Sequence, residues 1–84
     1  MSKKILIYTT KWCSDCRRVK MFLQQKQVGY DEVDIEENPK AAQIVEELNN
    51  GFRSVPTIIF PDGTVAVEPS NQELEKLLLE KKLL

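Results

Sequence analysis

Eighty-four residues, 42% apolar and 30% charged, with three glycines and four prolines, leave room for one small globular domain, and a chain this short buries only ~60% of the surface it exposes when unfolded. A formal net charge of −1, with Lys and Arg interspersed among Asp and Glu, offers neither the basic stripe that nucleic acid requires nor a long acidic tail. The opening Lys3-Lys4 followed by four apolar residues is too little for a signal peptide or a membrane span, so the expectation is a cytoplasmic protein that meets neither nucleic acid nor membrane.

The first expected strand is Lys4 to Tyr8, nearly continuous in apolar character, as suits a central strand covered on both faces. Thr9 to Trp12 then form a loop. A helix is expected from about Ser14 to Gln27, with Cys16, Val19, Phe22 and Leu23 at helical spacing and Val28-Gly29 closing it. Tyr30 to Asp34 reads as a second strand, more polar and nearer the sheet edge, and a strand-helix-strand unit of this length calls for a right-handed parallel crossover.

Asn38-Pro39 marks the next helix, because Asn caps well and proline suits the first helical position. Its apolar face is Ala41, Ile44, Val45 and Leu48, and Gly51 after Asn49-Asn50 stops it. Thr57 to Phe60 and Thr64 to Val67 are β-branched runs joined by Pro61-Asp62-Gly63, which is hairpin chemistry. Ser70-Asn71-Gln72-Glu73 is a capping box, after which Leu74, Leu77 and Leu78 stripe a last helix. The order β-α-β-α-β-β-α predicts an α/β domain over residues 1–84: a four-stranded mixed sheet flanked by three helices.

The chemistry sits in Trp12-Cys13-Ser14-Asp15-Cys16, which holds both cysteines at the strand-to-helix turn. There the unpaired N–H groups and the positive end of the helix dipole stabilise an anion. A free thiol with a pKa near ~8.5 drops to roughly 3.5–7.5 in such places. In a reducing cytosol, two cysteines three apart beside a βαβ pattern signal redox catalysis more than structure. A buried inert thiol is the alternative, weightier for Cys16 than for Cys13. Asp15 complements the helix dipole yet opposes ionisation of Cys13, whereas Lys11, Arg17 and Arg18 favour it.

With Tyr8-Thr9-Thr10-Lys11-Trp12-Cys13-X-X-Cys16 closing a central strand and Val55-Pro56-Thr57 opening a later one, the whole chain resembles the glutaredoxins. It is similar within them to the mycoredoxins, through Tyr30-Asp31-Glu32-Val33-Asp34-Ile35-Glu36, Arg53-Ser54-Val55-Pro56-Thr57 and Phe60-Pro61-Asp62-Gly63-Thr64. The resemblance implies a thioredoxin fold, thiol–disulfide exchange and a cis peptide bond before Pro56. Cys13 is expected to attack and Cys16 to resolve, unless a second small thiol resolves instead. Trp12 is a candidate to cover the substrate, and Val55 to offer its backbone to a peptide or thiol by strand-like pairing. Lys11 and Arg53 are candidates for substrate carboxylates or plain solvated charges. The N–H groups of Ser70 and Asn71 either hold a carboxylate or simply begin a helix.

The expected partners are protein disulfides or mixed disulfides of small thiols, acted on by a monomer. No metal and no tightly bound cofactor are expected. Glutathione, mycothiol or a similar thiol is the co-substrate, with a thioredoxin-reductase-type protein as another possible reductant. There are departures from the family: Thr10 stands where many glutaredoxins carry lysine, Glu68-Pro69-Ser70-Asn71 replaces the glutathione-holding Gly-Gly segment, and Ser14-Asp15 fills the space between the cysteines. Two other classes stay open. One is an iron–sulfur carrier, although one chain with two cysteines and no histidine cannot complete a four-ligand site alone. The other is a non-catalytic adaptor.

Overall fold

The computed structural model describes residues 4–84, so the first lysine of the basic opening pair lies outside the described residues. β1 (Ile5–Thr9) sends Ile5 and Ile7 into one core and Leu6 and Tyr8 toward another, which is why its sequence is apolar without alternation. It is one of the two inner strands of a four-stranded sheet, with Tyr30–Asp34 on one side of it and Thr57–Ile59, then Val65–Val67, on the other. β2 (Tyr30–Asp34) runs parallel to β1, whereas β3 (Thr57–Ile59) and β4 (Val65–Val67) complete the sheet as an antiparallel pair. This is the mixed sheet expected, with β2 at one edge and three helices around it.

The two faces are covered differently. Helices α1 (Ser14–Gln25) and α3 (Asn71–Glu80) bring Val19, Leu23, Leu74 and Leu78 against Ile5, Ile7, Ile58 and Phe60. Each such side chain, fully buried, contributes about 1.5–3 kcal/mol, so this cluster is the main source of cohesion. On the other face α2 (Pro39–Leu48) packs Ala41, Ala42 and Val45 against Tyr8 and Ile35.

Here the α2 stripe differs from expectation. Ala42 is buried, whereas Ile44 and Leu48 are 40% and 43% exposed. Val45 faces the sheet, and the two alanines flanking that line let the helix backbone sit close. Ile44 and Leu48 then fall together on one flank, turned away by the helix's 3.6-residue period.

The helix ends also differ. α1 stops at Gln25, and Gln27 rather than Gly29 takes the left-handed conformation, with φ of 60°. Val28 N–H then reaches Leu23 C=O and Gln27 N–H reaches Gln24 C=O, the paired bonds of a Schellman cap. Asn50 and Lys82 occupy the equivalent position after α2 and α3. Beyond α2, the Val55–Pro56 peptide bond is cis.

Candidate active site

β1 ends at Thr9, and the chain turns through Thr10–Trp12 into α1, so that Cys13 becomes the helix N-cap. Its backbone is extended (φ −90°, ψ 107°), and its sulfur takes the role a serine hydroxyl plays at other helix starts. The N–H of Cys16 donates to Cys13 Sγ across 3.0 Å. The two cysteines form a disulfide, with Cα atoms 5.2 Å apart. Cys13 is half-buried, but Cys16 is only 1% exposed beneath it. The pair therefore has one sulfur facing outward and one facing the core.

Around Cys13 the expected residues separate into groups. The Val55 carbonyl oxygen lies 3.8 Å from Cys13 Sγ, and Pro56 is buried behind it. That segment is pinned by Thr57, whose fully buried hydroxyl donates to Ser54 C=O at 2.6 Å and accepts from the Asn49 amide at 3.2 Å. Trp12 is 88% exposed next to the disulfide. Lys11 is exposed and pairs with Glu37 at 2.9 Å; the Glu37 carboxylate, chiefly by this hydrogen bond, raises the lysine pKa. Arg53 is held by Glu46 of α2 at 3.1 Å.

A polar cleft of about 250 Å³ opens beside Cys13, bounded by Thr10, Lys11, Arg17, Lys20, Glu32 and Asp34 with Thr9 at its base. Glu32 is its anchored acid. Lys20 Nζ and the buried Thr9 hydroxyl both bond Glu32 Oε2 at 2.8 Å, and these donors, lysine first, hold its pKa below the usual carboxylate value. A wider depression of about 660 Å³ lies at the opposite end of β1, between Lys4, Leu6 and the Pro61–Gly63 turn. It holds no cysteine, whereas the smaller cleft borders Cys13. Among the described residues no cluster of three or more His, Cys, Asp or Glu groups is arranged to hold a metal ion.

Ser70 and Asn71 are engaged in structural bonds. The Ser70 hydroxyl accepts from Glu73 N–H at 3.1 Å while the Glu73 carboxylate accepts from Ser70 N–H at 3.0 Å, and that second bond lowers the Glu73 pKa. The capping box thus supplies the helix with its own anion. Asn71 Oδ1 accepts from Arg18 at 2.6 Å. Composition marks Arg18 only as a cation near Cys13; its link to a residue 53 positions away has no periodic or motif signal.

The glutaredoxin family profile matches residues 5–65. This chain belongs to the glutaredoxin family. A protein of Mycobacterium tuberculosis H37Rv, itself assigned only provisionally as a glutaredoxin, is 45% identical over 76 residues, 90% of either chain. Mycoredoxin 1 of Corynebacterium glutamicum is 36% identical over 70 residues, 83% of this chain and 86% of its own. Among solved structures, the thioredoxin-like protein BC3987 aligns with a TM-score of 0.78 at 32% identity, covering 89% of this chain and 100% of that one. Glutaredoxins are thiol–disulfide oxidoreductases, and in this one the Cys13–Cys16 pair at the mouth of α1 stands in a disulfide arrangement. No helix among the described residues is long and apolar enough to cross a membrane.

Proposed function

We propose that this glutaredoxin reduces protein disulfides and mixed disulfides, with Cys13 as nucleophile and Cys16 as resolving thiol. The carrying observation is the asymmetry of the pair: Cys13 Sγ caps α1 and accepts the Cys16 N–H at 3.0 Å, whereas Cys16 is 1% exposed. In the reduced protein the N-terminal N–H groups and the helix dipole stabilise a thiolate on Cys13. That thiolate attacks one sulfur of the substrate disulfide and forms a mixed disulfide, and the other substrate sulfur leaves as thiolate. Cys16, deprotonated as it attacks, displaces the remaining substrate thiolate and closes the Cys13–Cys16 bond. Two equivalents of a low-molecular-weight thiol then return the pair to the dithiol.

The likeness to a mycoredoxin supports a small thiol such as mycothiol as reductant, with glutathione and a thioredoxin-reductase-type protein as the donors to compare. Substrate backbone pairs with Val55, and Trp12 covers the sulfurs from outside. The protein acts as a monomer in the cytoplasm.

The test is turnover of a small mixed disulfide with each donor, using Cys13→Ser and Cys16→Ser. Cys13→Ser should be inactive, whereas Cys16→Ser should keep mixed-disulfide reduction with a small-thiol donor and show a covalent adduct at Cys13, detectable by mass, when that thiol is withheld. Substantial turnover by Cys13→Ser would overturn the assignment. Inactivity of the wild type with every donor would favour an adaptor, and visible absorbance in anaerobically purified protein a cluster carrier.

A further inference from the structure

Asp15 stands between the two cysteines in the first turn of α1, where an uncompensated carboxylate would oppose a thiolate at Cys13. It is compensated. Arg18 Nε and Nη2 donate to Asp15 Oδ1 at 3.2 and 3.1 Å. The same guanidinium gives Nη2 to the Pro69 carbonyl at 2.8 Å and Nη1 to Asn71 Oδ1 at 2.6 Å. One planar fork therefore joins the cysteine turn to the segment that opens α3, a geometry that lysine's single ammonium cannot reproduce.

We propose that Arg18 is a positioning residue of the redox site, cancelling the charge of Asp15 beside Cys13 while fastening the Pro69–Asn71 segment to that turn. The proposal rests on Cys13 being the nucleophile. Among the described residues, the other charges facing Cys13 are Lys11 from the loop, Arg17 and Lys20 from α1, and Glu32 and Asp34 from β2. Lys11 is tied to Glu37 and Lys20 to Glu32. Without Arg18, the Asp15 carboxylate would be the nearest charge in sequence to Cys13 with no partner of its own.

The test is the pH dependence of iodoacetamide labelling at Cys13, followed by peptide mass mapping, in the reduced full chain and in Arg18→Gln, Arg18→Lys, Asp15→Asn and the Asp15→Asn/Arg18→Gln pair. Arg18→Gln should raise the apparent thiol pKa by about half a unit or more, roughly threefold less thiolate at pH below it. Removing Asp15 as well should return most of that shift. Arg18→Lys should keep the thiol pKa near wild type and yet lower the urea midpoint, because the charge remains and the fork is lost. An unchanged pKa in Arg18→Gln would overturn the proposal, as would an equal shift in the double variant or in Arg18→Lys. Those differences stay readable even if the wild-type thiol proves ordinary, an outcome that sinks the assignment of Cys13 instead.

Discussion

Lys81 at the end of α3 reaches back 2.7 Å to the Asp62 carboxylate in the hairpin turn, fastening the last helix to the β3–β4 connection. The lysine also bonds Thr64 Oγ1 at 3.0 Å and lies 5.2 Å above the Phe60 ring. Asp62 additionally accepts the Thr64 N–H at 2.9 Å. The Lys81 bond first, and then Thr64, hold the Asp62 pKa far below the ordinary carboxylate range. A carboxylate depressed from an unfolded value near ~3.9 contributes its stability above that pH and loses it on acidification. The margin of wild type over Asp62→Asn should therefore be full above about pH 5 and shrink steadily from about pH 4 downward. Thermal midpoints of the two proteins across that range check it, and a margin independent of pH would refute it.

Gln27 holds a left-handed backbone for which glycine has no steric penalty, whereas Gly29 does not. Gln27→Gly should raise stability by about 0.5–1 kcal/mol in urea unfolding, since it relieves an αL side chain at a Schellman cap. Gly29→Ala should be neutral or slightly stabilising, because a Cβ there would meet only the end of the Lys4 side chain at 4.0 Å.

Thr57→Val keeps the side-chain shape but removes the hydroxyl that serves Ser54 and Asn49. Ser54 C=O then loses its donor beside a fully buried position while the Asn49 amide keeps only Val45 C=O, and the expected loss is about 1–3 kcal/mol, read as a lower urea midpoint at unchanged slope.

Trp12→Ala separates function from folding. At 88% exposure the indole contributes little to the core, so stability should change by no more than about 0.5 kcal/mol. Turnover of protein disulfides should fall severalfold if the ring covers the substrate; unchanged turnover would remove Trp12 from the site.

How much of this was legible beforehand depends on how local the cause is. The cysteine turn, the capping box at Ser70 and the antiparallel pair around Asp62-Gly63 rest on neighbouring residues, and each stands where its local chemistry put it. On α2, Ala41 and Val45 face the core as expected, but hydrophobicity favours Ile44 and Leu48 there too, whereas close approach to the sheet favours Ala42. The end of α1 differs because glycine signals a cap, yet the cap bonds form two residues earlier around Gln27. The Arg18 fork joins segments distant in sequence and became visible only once both were placed. The cis bond before Pro56 came from family resemblance, and no local property of Val55-Pro56 announces it.

The acidic character of β2 has a consequence for company rather than for chemistry. Its outer rim carries Asp31 and Glu32 in the open, and Glu32 is committed to Lys20. A second copy seeking to extend the ribbon along that rim would bring carboxylates against carboxylates. These two carboxylates, Glu32 in the cleft beside Cys13 and Asp31 toward the far end of the strand, thus discourage strand-by-strand stacking at a border whose backbone would otherwise invite it.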